Sequence, residues 1–299
     1  MHAVLLIDKP AGLSSAEVVR RVKRRVAVKV GHLGTLDPFA TGLLPLCLGE
    51  ATKIAQFLNT ADKRYEGVIR LGAATDTGDR TGQLTRSAAV PDLNAIDLAA
   101  LARRFTGELQ QTPPMYSALK RAGVPLYRLA RQGVEVERRA RTVRIDRLAL
   151  APHGGGGLRF DLTCSKGTYV RVLAEEIGAA LGSAAHLDAL RRTGFGKFRI
   201  ELAVPLDAWN PAHPTALVPL SEALAHLPAV PIDLKAVTAV RQGKAWPLSA
   251  LSGNLGSEAM LLDPAGDVVA VAVRKGRLWS YARVLGGAPP PRPAPRAAP

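Results

Sequence analysis

The run Gly31-His32-Leu33-Gly34-Thr35-Leu36-Asp37-Pro38-Phe39-Ala40-Thr41-Gly42-Leu43-Leu44-Pro45 is dense in turn formers yet interrupted by apolar residues. Pro38 pushes Asp37 out of helical geometry. Gly31, Gly34 and Gly42 admit close approach of another backbone. A carboxylate in such a place can act as a nucleophile. An Asp-Pro pair in a loop is more often only a turn, and this segment alone leaves both readings open. His32 can contact a ligand, although an isolated histidine is more often structural, and no partner ligands lie at metal-site spacing. Tyr65 offers a stacking ring and a hydroxyl, or is an ordinary core tyrosine. Arg171 reads as a surface cation at a helix start. Tyr169 and Leu190 suit core positions equally well, and Asp79 stands in what reads as a turn.

The elements that must position these residues follow from periodicity. Residues 4–8 read as a short buried strand closing on the Lys9-Pro10-Ala11-Gly12 turn. Ser14 and Glu17 form a capping box. Val18, Val22 and Val26 then recur every four residues and predict a helix over 15–29. Its other faces carry Arg20, Arg21, Lys23, Arg24, Arg25 and Lys29, which is either a solvated face or a phosphate-contacting one. Residues 31–57 read as a loop followed by a helix starting near 48. Residues 64–72, 142–150 and 158–164 alternate as strands, the last fed by a turn at Gly154–Gly157. Helices are expected over 93–105 and 171–181.

The chain has 299 residues, 47% hydrophobic and 22% charged, which fits a globular protein with a real core. Its net charge of +15 bears on partners, and nucleic acid or an anionic surface is the usual meaning. No run of 18 or more apolar residues is present to span a bilayer, and Met1–Pro10 lacks the pattern of a secretory signal. Two cysteines, Cys47 and Cys164, with no CxxC pair, exclude a disulfide framework and a cysteine-based zinc site. The reducing cytoplasm is the expected compartment. Residues 115–147 hold nine Lys or Arg against three acids, interleaved with Tyr116 and Tyr127. Cations mixed with aromatics suit an RNA-contacting insertion, since phosphates attract the charge and unstacked bases need a ring.

Taken together, the motifs resemble a family. Gly31-His32-x-Gly34-x-Leu36-Asp37-Pro38-x-Ala40-Thr41-Gly42 and Leu48-Gly49-Glu50-Ala51-Thr52-Lys53 resemble the central motif of the TruB-type tRNA pseudouridine-55 synthases. Asp8-Lys9-Pro10 with Gly12 and Ser14-Ser15 precede it. Lys63-Arg64-Tyr65, Thr75-Asp76-Thr77-x-Asp79 and Gln111-x-Pro113-Pro114-x-Tyr116-Ser117-Ala118-x-Lys120 follow, then Cys164-Ser165-Lys166-Gly167-Thr168-Tyr169-Val170-Arg171 and His186-Leu187-x-x-Leu190-Arg191-Arg192. The resemblance covers roughly residues 4–207. Two departures are Leu33, and Trp279-Ser280-Tyr281 where related chains often carry a more basic stretch.

The resemblance implies an α/β fold (α+β) with a mixed, largely antiparallel central sheet, flanking helices and a small β-rich C-terminal domain. It implies isomerisation of uridine-55 in the T-loop of tRNA to pseudouridine, with Asp37 as nucleophile and Arg171 as its paired cation. Tyr65 would stack on the base and help move the C5 proton. Tyr169 and Leu190 would line the pocket, His32 would enter the space left by the flipped base, and Asp79 would bind near that base. Arg138, Arg139 and Arg141 are expected to hold phosphates. No cofactor or metal is expected, because an isomerisation needs neither oxidant nor energy source. The expected partner is the tRNA T-arm, with no membrane and no obligate protein partner. A guide-directed synthase and an RNA-folding protein with secondary catalysis are the alternatives; the basic insertion argues for an autonomous enzyme. The proline cluster near 205–232 divides the chain into a catalytic part over 1–213, a linker over 214–230 and a PUA-like RNA-binding part over 231–285, with a disordered tail over 286–299.

Overall fold

The computed structural model describes residues 1–212, 216–252 and 255–286. The expected tail over 286–299 lies outside them except for Gly286. Among the described residues the fold is mixed α/β, with seven α-helices around an 11-stranded, mostly antiparallel sheet and a separate four-stranded sheet near the C-terminus. Among the described residues no helix is long and apolar enough to cross a membrane.

The large sheet runs in the order Val204–Pro205, Ala3–Lys9, Thr41–Leu48, Ala185–Phe195, Lys63–Leu71, Gly157–Cys164, Arg141–His153, Gly107–Gln111. Two pairings on this path are parallel: Ile7 opposite Val204, and Arg191 opposite Thr41. The remaining neighbours on the path run antiparallel. Because side chains alternate along a strand, the two faces bury different sets. Leu5, Ile7, Leu44, Leu46 and Leu48 join one core with Val18 and Val22 of helix Ser15–Lys23 and Leu173 and Ile177 of helix Val170–Ala180. Val4, Leu6, Leu43 and Cys47 join the other with Ile54 and Phe57 of helix Ala51–Leu58. Leu33, the departure from the motif, is fully buried in this second core.

Four elements differ from the periodicity reading. Thr41–Leu48, expected within a loop, is a strand buried along nearly its whole length. Covered on both faces, it carries no polar alternation to betray it. Ala185–Phe195, which contains the His186–Arg192 motif, is a long strand paired with both Lys63–Leu71 and Thr41–Leu48. The first helix ends at Lys23, six residues short of the expected end. The chain there departs with Arg25, whose Nη1 donates to the carbonyls of Leu206 (3.1 Å) and Trp209 (2.7 Å). The helix expected over 93–105 is a 3₁₀ turn at Leu93–Ala95 followed by a helix at Leu98–Arg104, each with its own Asp N-cap.

The C-terminal sheet orders Ala229–Pro231, Glu258–Leu262, Val268–Lys275 and Leu278–Val284. Its hairpin turns at Asp263, whose Oδ1 accepts the N–H groups of Ala265 and Asp267, both at 2.9 Å. It has its own core around Val240, Leu261 and Ala270. Met260, Val268 and Val271 instead face the core of the large sheet. Within the stretch 214–230, Leu217–Val218 pairs with Ala3–Lys9, and Leu224 and Leu227 are buried.

Candidate active site

Asp37 stands on the loop that joins two strands, Val30–His32 and Thr41–Leu48. A loop without a ladder must satisfy its backbone polar groups elsewhere. Ser15 does part of this: its Oγ donates to Leu36 O (3.0 Å) and accepts from Leu36 N (2.9 Å). The carbonyl of Pro38 accepts from Gly12 N (2.8 Å) and from Lys9 Nζ (3.2 Å). Arg192 Nη2 donates to Gly34 O (2.9 Å), and its Nε donates to Leu43 O (2.7 Å). Gly42 has φ +100°, and a Cβ there would overlap the Arg192 backbone. Glycine at that point lets the loop close onto the neighbouring strand.

The Arg171 guanidinium meets Asp37 as a fork, Nε to Oδ2 at 2.9 Å and Nη2 to Oδ1 at 3.3 Å. The Arg171 side chain is 6% exposed and that of Asp37 33%, the open part facing the pocket. Remaining Arg171 donors tie in two further segments: Nη1 donates to Thr77 O (2.8 Å) and Nη2 to Tyr116 O (2.7 Å). Asp79 lies behind, its Oδ2 3.9 Å from Arg171 Nη1. It is itself ordered by Thr81, whose N–H and hydroxyl both donate to Oδ1. One arginine therefore gathers the Asp37 loop, the Thr75–Asp79 segment and the start of the basic insertion.

Burial pushes the Asp37 carboxyl above its ordinary value; Arg171 pulls it down, nearby Asp79 pushes it further up, and Lys9 pulls it down. The two cations counter the desolvation that burial imposes on this carboxylate. Lys9 is fully buried and donates to three carbonyls, those of Pro10, Leu13 and Pro38. Burial lowers its ammonium to about 8.

The pocket has a volume of about 370 Å³, and Asp37, Tyr65, Tyr169, Arg171 and Leu190 all line it. That size lies within the range of small-molecule sites. Tyr65 is buried, and its phenol is pushed up by burial and drawn down by Arg192. Lys63, Asn59 and Lys166 line the pocket too; the two lysines stand in the family motifs without a site role, and Asn59 stands in none of them. Lys63 shares the parity of Tyr65 on one strand, and that spacing is the signal which could have found it.

Other expected residues lie apart. His32 does not line this pocket; it pairs with Leu46 on the edge strand, and its buried Nδ1 has no hydrogen-bond partner among the described residues. Burial, and then Arg192, lower its pKa, so the ring is neutral near pH 7. Arg138 is half-buried and donates to Pro113 O (3.2 Å), whereas Arg139 and Arg141 are exposed. On the first helix, Arg20 and Arg21 pair with Glu17.

The model of the "TruB family pseudouridylate synthase (N terminal domain)" matches residues 20–170. A tRNA pseudouridine synthase B of Burkholderia pseudomallei (strain 668) is 51% identical over 259 residues, 85% of each chain. That of Cupriavidus metallidurans is 46% identical over 296 residues, 96% of this chain and 92% of its own. The chain belongs to the TruB family of pseudouridylate synthases. Its fold is shared with a chain of the "Crystal Structure of a Cbf5-Nop10-Gar1 Complex", 27% identical, TM-score 0.67, covering 95% of this chain and 84% of that one. A chain in "Structure of H/ACA RNP bound to a substrate RNA containing 2'-deoxyuridine" is 26% identical with TM-score 0.68 over the same shares. As a TruB-family synthase the protein is an isomerase, and its pocket brings together the Asp37 carboxylate, its paired cation Arg171 and the phenols of Tyr65 and Tyr169.

Proposed function

We propose that this enzyme isomerises uridine-55 in the T-loop of tRNA to pseudouridine, by base flipping and covalent catalysis through Asp37. The observation that carries this reading is the Asp37–Arg171 fork at the wall of a pocket shared with Tyr65 and Leu190. The names of the relatives at 46–51% identity support tRNA as the substrate over a guide-directed reaction.

The reaction breaks the N1–C1′ bond, turns the base and joins C5 to C1′. Arg171 keeps Asp37 ionised and aimed; the carboxylate attacks the nucleotide at C1′ or C6. Tyr65 and Leu190 enclose the uracil, and the Tyr65 hydroxyl takes part in removing the C5 proton. A uridine inside a folded loop hides its sugar, so the nucleotide must be extruded first. His32, on the loop's edge strand, contacts the RNA vacated by that base, and Asp79 and Tyr169 bound the base from the other side. Arg139 and Arg141 hold phosphates, with Arg138 bracing the insertion that carries them. Residues 1–213 form the catalytic part and 231–285 a PUA-like RNA-binding part. Support for the latter is its exposed Trp246 below Lys235 (6.0 Å) and Trp279 beside Arg274 (5.6 Å), pairs suited to bases and phosphates. The enzyme works in the cytoplasm on the T-arm, without an obligate protein partner or cofactor.

The test is a map of pseudouridine in tRNA from cells with and without the protein, beside purified enzyme acting alone on unmodified transcript. Loss of pseudouridine at position 55 alone, restored by the purified enzyme, is expected. An unchanged position 55, or activity only with added partner proteins and guide RNA, overturns the reading.

A further inference from the structure

Arg192 is fully buried, and among the described residues no salt bridge involves it. A guanidinium kept from water without a carboxylate is costly, so its environment must return that cost in another form. Two of its three nitrogens are engaged: Nε on Leu43 O and Nη2 on Gly34 O, the two shoulders of the Asp37 loop. The third, Nη1, is buried and among the described residues has no hydrogen-bond partner. Arg192 and Tyr65 are directly opposite one another on adjacent antiparallel strands, so their side chains share a face.

We propose that Arg192 is a positioning residue for the isomerisation: it clamps the Asp37 loop with two of its nitrogens and keeps the third for the anion that Tyr65 becomes. This rests on the reading above that Tyr65 acts at C5. The groups that bear on the Tyr65 phenol are Arg192 from Ala185–Phe195, Cys164 from Gly157–Cys164 and Asp37 from the loop. The Cys164 thiol is pushed up to about 11 by burial and stays neutral, and Asp37 opposes a second negative charge. Arg192 is the cation in that set. Burial weighs against the phenolate, and Arg192 is what counters it.

The proton balance is closed. Once C5 is joined to C1′, C5 still carries its hydrogen, and the base holds a C6=N1 double bond. The Tyr65 phenol gives its proton to the N1 lone pair, and the phenolate so formed takes the C5 proton; the C5–H pair becomes C5=C6, the C6=N1 pair returns to N1 as its lone pair, and the phenol is restored. Nothing is oxidised, and no co-reactant is consumed.

The test places a fluorinated tyrosine at position 65, more acidic than tyrosine and visible by fluorine NMR, in the wild-type chain, Arg192→Lys and Arg192→Met. Melting curves select the variants that fold. The titration midpoint of the fluorinated phenol should rise in both variants, more in Arg192→Met. With natural Tyr65, single-turnover pseudouridine formation should fall about 10- to 100-fold, part of the ~10²–10⁴ that positioned proton transfer contributes. In a Tyr65→Phe background the same Arg192 substitution should cost little more, because the group it serves has gone. An unshifted midpoint overturns the proposal, and so does a loss that multiplies undiminished in the Tyr65→Phe background, which makes Arg192 only a loop clamp. If the wild-type enzyme leaves tRNA unmodified, the tRNA reading fails on its own, while the fluorine titration still decides the role of Arg192.

Discussion

The pocket and the basic insertion are both built on arginine, and they use it in opposite ways. Arg171 is 6% exposed with each terminal nitrogen engaged by a carboxylate or carbonyl. Arg139 and Arg141 point into solvent. In a dry site a charge is strong, but it must be fully met by partners. On an open surface it is screened and cheap to keep, and it acts by summing with its neighbours. The pocket should therefore control turnover, and the insertion should control affinity and its salt dependence.

The largest effect should come from Asp37→Asn, which keeps the shape and removes the charge. An amide is a poor nucleophile, so turnover should fall by about 10³-fold or more. tRNA affinity should change little, because phosphate contacts and stacking dominate it. Pseudouridine formation and tRNA binding measured side by side, with circular dichroism as a folding control, decide the matter. A folded variant with near-normal turnover removes Asp37 as nucleophile.

Arg171→Lys should come next. It keeps the charge and loses the fork, so Asp37 is held at one oxygen and the Thr77 and Tyr116 carbonyls lose donors. We expect turnover to drop about 10- to 100-fold at retained folding, the cost of a misplaced reacting group. Wild-type rates would mean that charge alone suffices and that the fork is incidental.

Acidification gives a smaller effect of fixed sign. In the proposed mechanism the reactive form of Asp37 is the carboxylate, and its pKa is displaced upward, with burial the first cause. Activity should be full at high pH and fall as pH drops through that raised value, so the acid limb lies above the ordinary carboxylate range. A limb at the ordinary value, measured as single-turnover rate against pH, would show that Arg171 and Lys9 fully cancel the burial.

The smallest effect per residue belongs to the insertion. Replacing Arg138, Arg139 and Arg141 together by neutral residues should weaken tRNA binding, with single-turnover rate at saturating enzyme unchanged. Each lost phosphate contact should flatten the log–log salt slope by roughly 0.7–0.9. Since Arg138 is occupied by Pro113 O, the change should correspond to about two contacts rather than three. A change in saturated rate with unaltered slope would erase the contrast between the two regions.

Much was legible in the residues themselves. The Ser14 cap with Val18 and Val22 marked the first helix, and alternation over 158–164 marked a strand, because each depends on neighbours a few positions away. The motif order pointed to the family and hence to Asp37, Tyr65 and Arg171. Thr41–Leu48 was illegible for a physical reason: a strand covered on both faces is apolar throughout and has no period to read. The distances among candidates were equally hidden. Arg171 is 134 residues from Asp37, and only sheet order, together with the helix that follows Gly157–Cys164, brings them to 2.9 Å. Tertiary structure alone revealed that Lys9 and Arg192 are buried cations bracing the catalytic loop, since a lysine or arginine looks solvent-facing until the fold encloses it. It also separated His32 from the pocket that Asp37 lines. The chain's chemistry is local and written in residue types; which of those residues lose their water is a property of packing, and it exists only once the chain has closed.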